Sequence, residues 1–173
     1  MKRCLIVVDY QVDFVTGTLG NEAAAALENA IAERIRLSRE RGDDIIFTLD
    51  THGPDYLSTR EGRYLPVPHC IAGTPGHALQ GQVYAMRRGE DLVFCKETFG
   101  STGLFDHLRT HPYDAIELCG VVTNICVISN ALLAKTALPE ADVAVHASLC
   151  ASNDPALHQK ALDVMASLQI DIL

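Results

Sequence analysis

The stretch Ala115-Ile116-Glu117-Leu118-Cys119-Gly120-Val121-Val122-Thr123-Asn124-Ile125-Cys126 decides how this chain folds. Residues 115–119 are an apolar run of strand length, interrupted only by Glu117. Gly120 lets the chain leave the strand, and residues 123–135 then carry apolar side chains at helical spacing. A second apolar run, 142–145, follows a few residues later. Strand, helix and strand in that order form a crossover, and such crossovers join parallel strands.

The same alternation recurs on both sides of this unit. Apolar runs at 4–8, 45–49, 92–95 and 170–173 read as further strands buried on both faces, while 21–41 and 155–168 repeat the helical period. Gly42 closes the first of those helices. The expected fold is α/β: a single-domain, doubly wound, Rossmann-like parallel sheet of about six strands with helices on both faces, spanning residues 1–173.

At 173 residues, with 48% hydrophobic and 21% charged side chains, the chain has the length and composition of one domain with a sizeable core. A formal net charge of -8, with only 14 Lys and Arg, argues against a nucleic-acid partner, because phosphate binding needs clustered cations. No apolar run approaches the roughly 20 residues of a membrane-spanning helix. The run at 5–8 ends at Asp9, too soon for a signal-sequence core. Six cysteines, none in a C-x-x-C pair, fit reduced thiols and a cytoplasmic location better than disulfides. Cys4, Cys95, Cys119 and Cys150 lie in apolar runs and read as small buried hydrophobes.

In doubly wound sheets, ligands bind beyond the carboxyl ends of the strands. Asp9 follows the run 5–8, Asp50 follows 45–49, Lys96 follows 92–95, and Cys126 lies just past the strand ending at Cys119. Singly, each has an ordinary explanation: Asp9 or Asp50 as a turn or capping residue, Lys96 as a solvated cation, Cys126 as core. Their agreement on one rim is what singles them out.

Cys126 falls near the N-terminal turn of the helix after Gly120, where unpaired N–H groups favour a thiolate and offer donors to an oxyanion. Asp9 supplies a carboxylate to take the thiol proton, and Lys96 an ammonium to steady the charged states. This is a nucleophile, base and cation set without histidine.

Asp50 and His52, two residues apart in extended chain, project to the same side and have metal-ligand spacing. They lead into residues 51–89, an irregular connection holding four of the seven prolines, of the kind that carries function. His69, just after Pro66-Val67-Pro68, could swing in as a third ligand and leave positions open for water or substrate. Two His and one Asp also recur by chance, so a metal-free reading stays open. His77, His107, His111, His146 and His158 have no such company and read as surface or internally satisfied residues.

Together, Val8-Asp9-Tyr10-Gln11-Val12-Asp13-Phe14, Asp50-Thr51-His52, Pro68-His69-Cys70-Ile71-Ala72-Gly73-Thr74-Pro75-Gly76, Lys96-Glu97-Thr98-Phe99 and Gly120 to Cys126 resemble the nicotinamidase and isochorismatase superfamily of cysteine hydrolases, over nearly the whole chain. The resemblance implies a cysteine amidohydrolase, above all a nicotinamidase that converts nicotinamide and water to nicotinate and ammonia. By it, Asp9 is the general base, Lys96 orients and stabilises, and Cys126 attacks the amide carbon to form a thioester that water hydrolyses. It implies an oxyanion hole from the backbone amides of Val122 and Cys126, with a cis peptide between Val121 and Val122. It also implies that Asp50, His52 and His69 bind zinc, iron or manganese, and that Phe14 and Val121 contact the substrate.

The chain departs from the family pattern at two places. Where nicotinamidases usually place Trp or Phe three residues before the second metal His, it has Pro66 and no Trp anywhere, so Tyr64 or Leu65 would replace the stacking side chain. A further ligand of some relatives falls near Ser58, with Glu61 as the substitute close by. Relatives are often dimers or tetramers, which implies a homo-oligomer.

The scaffold does not fix the acyl group, so another small amide, ureido or carbamoyl compound is the main alternative substrate. Vinyl-ether cleavage of the isochorismatase kind fits less well, because those relatives generally lack the cysteine and the metal set. A non-catalytic ligand-binding module with Cys126 merely buried, and a redox sensor using Cys70 or Cys126, are the readings from other classes.

Overall fold

The computed structural model describes residues 1–173. Six strands, β1 (Arg3–Val8), β2 (Asp44–Asp50), β3 (Leu92–Lys96), β4 (Ala115–Val121), β5 (Asp142–Ala151) and β6 (Asp171–Ile172), form one sheet in the order β3-β2-β1-β4-β5-β6. Every neighbouring pair is parallel. From β1 the chain steps outward to β2 and β3, then returns to lay β4 on the other side of β1. The crevice between the carboxyl ends of β1 and β4 is therefore a topological switch point.

The connections supply α1 (Val12–Val15), α2 (Glu22–Ala25), α3 (Glu28–Glu40), α4 (Arg60–Tyr64), α5 (Gly81–Met86), α6 (Thr102–Thr110), α7 (Ile128–Ala137) and α8 (Pro155–Ser167). A wide turn, Thr123–Val127, leads into α7. Alternation along β1 sends Leu5 and Val7 to one face, where α1, α2, α3 and α5 cover them with Phe14, Ala24, Ile31 and Val83. Cys4, Ile6 and Val8 point the other way, under Leu104 of α6, Ala131 of α7 and Met165 of α8. Both faces are thus dry, which is why the central strands read as unbroken apolar runs.

Three expectations change. Residues 21–41 form two helices rather than one, and at the break the Ala24 carbonyl accepts from the Tyr10 hydroxyl at 2.6 Å and from the Leu27 N–H at 3.1 Å. β3 is not buried on both faces: it is the sheet edge, and Leu92 and Cys95 are exposed. Cys95 is therefore not a core residue. β5 runs on to Ala151, six residues past the apolar run that announced it, across a register shift against β4. No helix is long and apolar enough to cross a membrane.

Candidate active site

Asp9 stands one residue past β1 in the left-handed region, with φ 46°, and is completely buried. Its Oδ1 accepts from Thr48 Oγ1 at 2.6 Å. Lys96, the last residue of β3, places Nζ 2.6 Å from Asp9 Oδ2. The same ammonium donates to Asp50 Oδ1 at 3.2 Å, to the Thr98 carbonyl at 3.0 Å and to Cys126 Sγ at 3.5 Å. The ammonium thus sits among four acceptors, and Asp9 is the nearest of them.

Burial raises the Asp9 carboxyl against the lowering pull of the Lys96 ammonium. Burial and then the Asp9 charge hold the Cys126 thiol well above its usual range, with Lys96 opposing. Lys96 is desolvated too, which would lower it, yet Asp9, Cys126 and Asp50 together hold it above its ordinary value. Burial and the Asp9 charge thus work against the thiolate that a helix start would favour, and Lys96 works for it.

Beside this trio, Asp50, His52 and His69 bring one donor atom each to within 4.8 Å of one another, all three buried. Gln11 fixes Asp50: its side-chain oxygen accepts from the Asp50 N–H at 2.8 Å and its amide donates to the Asp50 carbonyl at 2.9 Å. His69 Nδ1 donates to the Val67 carbonyl at 2.8 Å, which leaves Nε2 with its lone pair facing the cluster. Glu61 Oε1 is 3.8 Å from His52 Nε2 and 3.7 Å from His69 Nε2. Two imidazoles and two carboxylates are a donor set that suits zinc, iron or manganese, and the fixed His69 tautomer is what metal ligation needs. Ser58 is exposed, whereas Glu61 lies beside the two histidines.

Both groups face one cavity of about 300 Å³, whose lining includes Phe14, Asp50, Glu61, His69, Val122 and Cys126. The peptide between Val121 and Val122 is cis. Residues 3–173 match the isochorismatase domain. The chain belongs to the isochorismatase family. It is 33% identical over 144 residues to an uncharacterized isochorismatase family protein, PncA, of Bacillus subtilis (strain 168), covering 76% of this chain and 78% of that one. It is 28% identical over 141 residues to a nicotinamidase/pyrazinamidase of Mycobacterium tuberculosis, covering 72% and 74%. The crystal structure of pyrazinamidase of Pyrococcus horikoshii in complex with zinc superposes with a TM-score of 0.87 at 28% identity, over 100% of this chain and 99% of that one. This isochorismatase-family hydrolase is thus close to the nicotinamidase/pyrazinamidase group in both sequence and structure.

Within this family member, the substrate-wall residues expected from sequence are divided by the fold. Phe14 and Leu65 line the cavity. Val121 is 1% exposed and packs into the core, and Val122 lines the cavity in its place. Tyr64 is 78% exposed on α4, lines a neighbouring cavity, and stacks with the Arg60 guanidinium at 5.3 Å. Reading by sequence missed the far wall: Asn124, Ser152, Asn153 and Asp154. The signal was there for the last three, since they follow the true end of β5. His146 and His158 prove satisfied, by Glu117 and Thr123, and His77 pairs with Thr51.

Proposed function

We propose that this hydrolase is a nicotinamidase-type cysteine amidohydrolase, with Cys126 as nucleophile, Asp9 as general base and Lys96 as the fixed cation. One observation carries the reading: a single buried ammonium touches Asp9 at 2.6 Å and Cys126 at 3.5 Å, beside the Asp50, His52 and His69 donors, of which Asp50 and His69 line the same cavity as Cys126. The fold alone would not decide the chemistry.

Asp9 takes the thiol proton as Cys126 Sγ attacks the amide carbon, so the thiolate forms only when there is an electrophile to receive it. Backbone N–H groups of Val122 and Cys126 are assigned to the oxyanion. Asp9 then returns the proton to the leaving nitrogen, and ammonia departs from a thioester. In the second half, Asp9 draws a proton from water, the hydroxyl adds to the thioester carbon, and the C–S bond breaks to give carboxylic acid and thiol. Lys96 holds both charged partners in place throughout. A divalent metal bound by Asp50, His52, His69 and Glu61 would supply a Lewis acid to anchor the substrate's ring nitrogen. Zinc is the first metal to test, given the zinc in the Pyrococcus horikoshii relative.

Ammonia release from nicotinamide should vanish in Cys126→Ala and fall about 10²–10⁴-fold in Asp9→Asn, where proton transfer is lost. Mass spectrometry of quenched turnover should find the acyl adduct on Cys126. Turnover of Cys126→Ala near the parent rate would rule the mechanism out. Cys-dependent hydrolysis of a carbamoyl compound but not of nicotinamide would move the substrate and keep the chemistry.

A further inference from the structure

The Asp50, His52, His69 and Glu61 cluster is a wall between two cavities. Asp50, Glu61, His69 and Cys126 border the inner one, of about 300 Å³. His52 and Glu61 border an outer one, of about 900 Å³, that Cys126 does not reach. Glu61 and Phe99 line both. Of the cluster's side chains, Glu61 is 21% exposed, whereas Asp50, His52 and His69 are 6%, 6% and 2% exposed.

The two cavities differ in what they can admit. Eight of the 15 residues lining the inner cavity are hydrophobic, which suits a ring and disfavours a hydrated ion. Only two of the 11 lining the outer cavity are hydrophobic. A divalent cation gives up its water reluctantly, so it travels where polar walls can replace each lost water. The outer cavity offers the carboxylates of Asp55, Glu61 and Glu97 against one guanidinium, that of Arg60, which is held on the Tyr64 ring. An excess of carboxylates at a cleft raises the local cation concentration.

We infer that a divalent metal ion enters this site through the outer cavity, with Glu61 as the carboxylate that receives it and passes it to the buried donors. The inference rests on the metal site proposed above. The path of metal entry then does not run through the Cys126 cavity.

The test follows uptake of cobalt(II) by chelator-stripped protein through its visible absorption. Three proteins are compared: the parent, the parent alkylated at Cys126, and Glu97→Trp, which narrows the outer cavity without touching a donor. Alkylation should leave the uptake rate unchanged, and Glu97→Trp should slow it about tenfold with the final cobalt stoichiometry preserved. Uptake slowed by alkylation and unaffected by Glu97→Trp would overturn the route and leave the site standing. No cobalt bound by the parent at equilibrium, with His52→Ala indistinguishable from it, would overturn site and route together.

Discussion

Asn130 is fully buried inside α7, four residues after Cys126, and every polar atom of its side chain is used. Its oxygen accepts from the Ser101 N–H at 3.0 Å, and its amide donates to the carbonyls of Phe99 at 3.1 Å and Cys126 at 2.8 Å. One side chain thus ties the Cys126 turn to the loop that follows Lys96. Asn130→Leu keeps the volume but strands those partners, and should cost about 1–3 kcal/mol in urea denaturation. It should also lower kcat more than KM, since the cysteine-to-lysine distance is what loosens. Unchanged stability and kcat would show that the three bonds hold nothing in place. Asn130 was not legible in the sequence, where a polar residue in an apolar helix looks like a solvent-facing one. Asp9, Lys96 and Cys126 were legible because the rule of strand ends needs only strand ends, and these three mark them.

At the scale of elements, the strands could be read from apolar runs, but their lateral order could not, because no local pattern says which strand is last. That is why the apolar run 92–95 reads as a buried strand and Cys95 as core, although both lie at the sheet edge, and why the far wall of the cavity is hidden with the true end of β5. The exposed edge has a direct chemical consequence. A bulky maleimide should modify Cys95 first under native conditions, Cys95→Ser should remove that fast phase, and Cys4, Cys70, Cys119 and Cys150 should react only on unfolding. A fast phase that survives Cys95→Ser would place the edge elsewhere. The junction of β4 with the turn before α7 is the opposite case, readable from one residue. Gly120 has φ 120°, and a Cβ there would strike the Val8 carbonyl oxygen, so strand β1 and the Cys126 turn approach closely only because no side chain intervenes. Gly120→Ala should destabilise by about 3 kcal/mol and depress activity beyond what the lost folded fraction explains, measured as specific activity against the denaturation midpoint.

Across the whole molecule, one acid holds the two halves of the sheet to the helical layer. Glu117, in the middle of β4, pairs with Arg34 of α3, with Arg3 of β1 at 3.2 Å, with Arg41 at 3.2 Å and with His146 of β5 at 2.7 Å. Burial would raise this carboxyl, but His146, Arg34 and Arg41 together hold it well below the usual carboxylate range. A carboxyl whose folded pKa is depressed binds protons more readily in the unfolded chain, so it adds stability above the unfolded pKa and loses it as the pH falls toward the folded one. The three arginines are 17–38% exposed, which screens the pairs, so Glu117→Gln should cost about 1–3 kcal/mol near neutral pH. Because the variant has no proton to gain at this position, its stability should fall less steeply with acid. The gap between parent and variant in urea denaturation should therefore be full at about pH 7 and shrink steadily below about pH 4.5. A gap that stays constant down to about pH 3 would mean that the loss in the variant is one of packing, and that the charge of Glu117 does not join β1, β4, β5 and α3.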